Sequence, residues 1–118
     1  MGDFDITLIG GYHVVRYSPD VIEVLHTKDS SHLGVLPKVC SLAWDQRFIL
    51  VKQQEVRPRG SFTGDEFPVP VPGKFHYWII DTLETKRYGP MGAQDFDSKV
   101  VSFGLNQLKL KNVEDLKR

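Results

Sequence analysis

The chain has 118 residues, 41% apolar and 25% charged, which suits one domain with one core and argues against global disorder. Fifteen Lys and Arg balance fifteen Asp and Glu, so the formal net charge is zero. That weighs against a general nucleic-acid binder, which needs a basic surplus to displace counterions from phosphates. With a single cysteine an internal disulfide is impossible.

The elements follow in chain order. "FDITLIGG" alternates loosely and ends in paired glycines, so it reads as a strand and turn. "YHVVRYS" is a second strand, with Tyr12 and Val14 on one face and Val15 and Tyr17 on the other. Ser18-Pro19-Asp20 is turn chemistry, and the β-branched "VIEVLHT" is the next strand. After the polar "KDSSHLG" come "KVCSLAW", a turn at Asp45-Gln46, and "RFILVKQQ", a hairpin. Cys40 lies inside that apolar run and reads as a small buried hydrophobe, because no base or electropositive setting accompanies it.

Residues 55–74, "EVRPRGSFTGDEFPVPVPGK", break the pattern with four of the seven prolines and three glycines. Proline donates no ladder hydrogen bond, so this stretch reads as a long loop or insertion, partly extended at "FPVPVP". "FHYWIID" and "KRYGP" then form a second hairpin. Past Pro90 the period becomes helical, with Phe96, Val100 and Phe103 four and three apart and Gly104 as the stop. "LNQLKLK" reads as a short strand or extended tail, and Asn112 caps a last helical turn. The expected fold is α+β: an antiparallel β-meander of about six to seven strands, forming a curved sheet or small sandwich, with a C-terminal helix. The two hairpins together resemble a propeller blade, but about 40 residues per blade leaves no room for a closed propeller.

No constellation carries a reaction. His26 and His32 flank "TKDSS" in no recognised zinc spacing, and His13 and His76 lie on strands. No metal and no cofactor is therefore expected. "GSFTG" is not a nucleophile elbow, and "GSFTGDEF" lacks the Gly-Lys-Ser/Thr ending of a phosphate loop. Asp65 and Glu66 are adjacent carboxylates in a glycine-rich loop, which leaves a small hydrolase open as a reading. Asp45 and Asp81 stand at turns, where aspartate caps backbone donors. Arg57, Arg59, Phe62 and Phe67 cluster in the 55–74 loop, and arginine and aromatics are enriched at interface hot spots. These four are the candidate binding residues, with another protein as the expected partner.

"DFDITLIGGYHVVR", "VLPKVCSLAWDQRFILVKQQ" and "YWIIDTLETKRYGPMGAQDF" together resemble a family of small uncharacterised bacterial proteins. Its pattern is a "GY..VR" strand, a "WD.RFI..KQ" strand and "YWIID...YGP" before a terminal helix, and many members are lipoproteins. The resemblance covers most of the chain outside 55–74. It implies a location at the cell envelope, with Gly2-Asp3 following a removed leader, and no chemistry. No run here approaches the ~20 apolar residues of a transmembrane helix. "MGDFDITLIGG" lacks the basic start and apolar core of a signal peptide, and Ile6 stands where myristoylation requires Ser or Thr. The expected function is a non-catalytic binding domain of a cell-envelope or exported protein. An immunity or inhibitor-type protein, cytoplasmic in that case, is the alternative, and a small hydrolase the second.

Overall fold

Consecutive apolar residues in a strand demand cover on both faces, because successive side chains point to opposite sides. Residues 48–51 and 77–80 are two such runs, and they lie side by side in the middle of a sheet. The structure, a computed structural model, describes residues 4–18, 21–26, 34–35, 38–58 and 68–116.

The described residues form eight strands in two antiparallel sheets and one helix. Strands β1 (Phe4–Thr7), β2 (Tyr12–Ser18) and β3 (Val21–His26) make a three-stranded sheet in chain order. Strands β4 (Val39–Trp44), β5 (Phe48–Pro58), β6 (Pro68–Asp81), β7 (Lys86–Met91) and β8 (Lys111–Asn112) make a five-stranded sheet in the order β7-β6-β5-β4-β8. Helix α1 (Ala93–Ser102) follows β7. The expected α+β fold with an antiparallel meander and a C-terminal helix is the observed one. The two-residue β8 closes the edge of β4 and is the strand that periodicity resolves least.

The five-stranded sheet is the middle layer. One face packs on the three-stranded sheet through Leu42, Ile49, Val51 and Ile80 against Tyr12, Val14, Ile22 and Val24. The other packs on α1 through Ala43, Leu50 and Ile79 against Phe96, Val100 and Leu105. Aromatic contacts reinforce the second layer: Tyr77 stacks on Phe96 at 4.7 Å and Phe48 on Phe103 at 5.5 Å. Helix α1 ends as the sequence predicts. Gly104 takes φ +71°, Gly104 N–H donates to Val101 O, and Leu105 N–H reaches back to Val100 O. That is a Schellman ending, completed by apolar contact between Leu105 and Val100. Asn112 also caps as expected, its Oδ1 accepting from Glu114 N–H, but the turn it starts is a short 3-10 segment, Val113–Asp115.

Register shifts mark where strands bend. Between Tyr77 and Ile79 the partner β7 carries one extra residue, in the stretch holding Gly89 and the cis Gly89–Pro90 bond. A Cβ at Gly89 would lie 2.7 Å from Tyr77 O and 3.0 Å from the Trp78 ring, so only glycine allows β7 this approach. A shift between Val39 and Ser41 breaks the alternation around Cys40, which is why that residue is half-buried rather than core.

Truncation separates the two faces. Ile79→Ala and Ile80→Ala, each at a fully buried position, are expected to cost about 2–5 kcal/mol apiece in urea denaturation. Leu83→Ala, at a turn residue 70% exposed, stays within about 0.5 kcal/mol. An Ile80 loss no larger than that at Leu83 would show that the three-stranded sheet does not cover this face.

Candidate functional site

Strands β5 and β6 are longer than the sheet that holds them. Strand β4 pairs with β5 between Val39–Gln53 and Trp44–Ile49, and β7 pairs with β6 between Tyr77 and Asp81. Beyond these limits β5 and β6 pair with each other at Val56–Pro70, Arg57–Val69 and Pro58–Pro68. Among the described residues this pairing makes a two-stranded arm, and the molecule is drawn out to 47 × 28 × 26 Å. The sequence-predicted loop is therefore shorter than 55–74, because both of its ends are strand. Proline fits there because the arm has outer edges. Pro68 and Pro70 alternate, so both nitrogens face the same side of β6, away from the ladder that they cannot serve.

Strands β5 and β6 run unbroken from body to arm, the Lys38–Gln54 backbone pair lies at the junction, and side chains on and near it add further contacts. Between Gln54–Phe75 and Val56–Pro70 the β6 strand carries extra residues, and Gly73 takes φ +75° in open space. Gln54 Nε2 donates to Val71 O at 3.2 Å across this shift. His76 Nε2 lies 3.0 Å from Glu55 Oε1, and the Lys52 ammonium sits 4.4 Å from the Phe75 ring centre. Trp78 Nε1 donates to Gln53 Oε1 at 2.7 Å, and the Arg87 guanidinium covers the Trp78 ring at 4.9 Å while donating to Gly34 O.

Of the four candidate binding residues, Arg57 lies on the arm opposite Val69. Arg59, Phe62 and Phe67 lie outside the described residues, as do Asp65, Glu66 and His32. The other histidines are dispersed: His13 faces Asp5 at 2.8 Å, His26 meets the edge of Tyr12 at 4.7 Å, and His76, opposite Gln53 on β5, lies beside Glu55. Among the described residues no three of His, Cys, Asp and Glu gather closely enough to hold a metal ion. No helix among them is long and apolar enough to cross a membrane.

The family model described as "Protein of unknown function (DUF3997)" matches residues 9–114. The chain belongs to that family. No curated protein and no solved structure matches it. The family match thus agrees with the sequence resemblance at the level of an uncharacterised family, and it spans the arm as well as the body.

The end of the sheet opposite the arm is built from polar contacts that sequence reading found only in part. Asp45 Oδ1 accepts from Arg47 N–H and Phe48 N–H, each at 2.8 Å, and Asp81 Oδ1 accepts from Leu83 N–H and Glu84 N–H. Both aspartates therefore cap turns as predicted. The missed residue is Arg47, which donates through Nε and Nη2 to the two oxygens of Asp81 at 2.9 and 2.7 Å. The signal was in the hairpin register: pairing Phe48 with Asp81 sets the two turns side by side. Thr82 adds N–H and Oγ1 bonds to Arg47 O. Next to this knot, Tyr88 carries the ammonium groups of Lys86 at 5.1 Å and Lys99 at 5.6 Å. A cavity of about 490 Å³ opens there between Arg47, Glu84, Lys86, Tyr88 and Phe103.

The Arg47 hydrogen bonds hold the Asp81 carboxyl below its ordinary range, against the opposing effect of its burial. A lowered folded-state pKa means stability that is complete above about pH 4, where an unpaired aspartate titrates, and lost as pH falls toward the folded value. Asp81→Asn is expected to cost about 2 kcal/mol at pH 7 and to flatten the acid limb of the stability curve below pH 4. Urea midpoints across pH 2–7 check this. An acid limb as steep as that of the parent chain would assign the titration elsewhere.

Proposed function

We propose that the protein is a non-catalytic binding domain that engages another protein through the β5–β6 arm. The supporting observation is that Val56, Arg57 and Pro58 pair with Pro70, Val69 and Pro68 and with no other described strand. This ribbon leads directly into the stretch of sequence that holds Arg59, Phe62 and Phe67. Proline along its edge discourages indiscriminate strand pairing, so recognition falls to side chains rather than to open backbone. Arginine and aromatic residues are enriched at protein interfaces, and arginine is among the residue types that concentrate binding energy there. The body, with its two covered faces, serves as a rigid mount.

A photocrosslinking residue at position 69, near the arm's outer end, is expected to give a discrete cross-linked species in cells of the native host. The same residue at position 83, in the turn at the far end, gives none. Arg57→Ala combined with Phe62→Ala removes that species and leaves the melting temperature unchanged. Equal labelling from both positions, or none from position 69, overturns the proposal. A large fall in melting temperature would instead make these side chains part of the packing.

The location is proposed from the family resemblance: a domain held at the cell envelope by a lipid-modified leader cysteine. The reading frame upstream of Met1 is expected to encode an apolar stretch ending in cysteine. A stop codon directly behind a ribosome-binding site sinks the envelope reading and leaves the arm untouched.

A further inference from the structure

Among the described residues, the β4 edge of the five-stranded sheet has a short gap beyond β8, far from the arm. Asp45 N–H donates to Phe48 O, so these two residues form a hydrogen-bonded pair at the end of the β4–β5 hairpin. In an antiparallel ladder such pairs alternate with non-hydrogen-bonded ones. Trp44–Ile49 is therefore a non-hydrogen-bonded pair, and so is Leu42–Val51. The backbone N–H and C=O of Leu42 and Trp44 consequently point outward, toward the β8 side. Strand β8 meets Leu42 with Lys111 and Ser41 with Asn112, and then stops. Continuing its register by two residues would set Lys109 opposite Trp44, but residues 108–110 leave the strand. The outward backbone groups of Trp44 have no strand beside them among the described residues.

A cavity of about 400 Å³ occupies this gap. Its wall is apolar at Ala43, Trp44, Leu108 and Leu116, and its rim carries Lys109 and Lys111. Neither lysine makes an ion pair with a described residue, and both are exposed. The nearby carboxylate of Asp45 is already engaged by the amides of Arg47 and Phe48. Three requirements thus meet in one place. An open strand edge asks for extended backbone, an apolar wall takes a side chain of that backbone, and two exposed ammonium groups, without an ion pair among the described residues, flank it.

The geometry points to a peptide-binding edge at Trp44 that takes an extended acidic segment of a partner protein by strand addition. The segment hydrogen-bonds the Trp44 backbone, buries one apolar side chain against Trp44, Leu108 and Leu116, and sets carboxylates on Lys109 and Lys111. It is a second surface, at the opposite end of β4 and β5 from the arm, and it stands or falls independently of the arm.

The test is selection of random peptides displayed against the full chain, with the Lys109→Glu, Lys111→Glu double variant as counter-screen. Peptides alternating acidic and apolar residues are expected to enrich on the parent chain. Their synthetic versions should shift the Trp44 amide resonance on titration and slow its hydrogen exchange, and the double variant should lose about tenfold in affinity with an unchanged melting temperature. Failure of any sequence to enrich overturns the inference, as does enrichment without acidic residues or a resonance shift confined to other residues. A Trp44 amide already as protected in the free chain as Leu50, or one that shifts with protein concentration alone, also overturns it by showing the edge closed by the chain itself or by a second copy.

Discussion

Strand β6 is buried on both faces at one end and paired on a single side at the other, and most of the molecule follows from that change. From Tyr77 to Asp81 it lies between β5 and β7, with Ile79 under the helix and Ile80 under the small sheet. Parallel sheets commonly have both faces covered, and antiparallel sheets commonly keep one face wet. Here an antiparallel sheet is covered twice, so its central strands lose the alternation of apolar and polar residues that ordinarily marks such strands. From Pro68 to Pro70 the same strand pairs, among the described residues, with β5 alone, and proline is tolerable where a backbone group has no ladder to serve.

The two ends of the β5–β6 hairpin are stabilised by different physics. At the turn end, Asp81 is 4% exposed and bound by a bidentate arginine and two backbone amides, so its charge is fully compensated. A buried carboxylate with fewer partners would oppose folding rather than support it. The knot also fixes the two turns against each other at the Phe48–Asp81 end of the β5–β6 pair, and register decides which isoleucine meets which layer. At the arm end the side-chain contacts among the described residues include a cation on an aromatic ring, a histidine beside a glutamate and one amide bridge, beside the Lys38–Gln54 backbone pair. Such side-chain contacts are individually worth a fraction of a kcal/mol to about one.

This difference explains what the sequence made legible. The hairpins, the helix with its Gly104 stop and the Asn112 cap follow from local chemistry, and local chemistry can be read from one chain. The layering could not be read so directly: residues 77–80 show that two faces need cover but not which element covers each. Arg47 was missed because its partner is 34 residues away and only the register joins them. The extent of the 55–74 loop was overread because proline argues against a central strand, and the pattern alone does not reveal where a strand ceases to be central. Of the candidate site, Arg57 could be placed on an element, while the three residues with it fall in the stretch between the described ends of the arm.

The edges of the five-stranded sheet sharpen the distinction between surfaces that avoid partners and surfaces that admit them. Exposed edges recruit other strands unless something blunts them. Strand β7 is blunted by Pro90, by its extra residue and by Lys86 at its start. The β6 side of the arm is blunted by Pro68 and Pro70. Strand β4 is protected differently, by the two residues of β8, and this cover ends one hydrogen-bonding position short of Trp44. The cover ends where an apolar wall and two exposed lysines, Lys109 and Lys111, begin. Blunting and opening thus alternate around one sheet. An unprotected backbone edge costs little when its flanks select the charge of whatever pairs with it, which is why the gap at Trp44 reads as an entry point rather than as an unfinished strand.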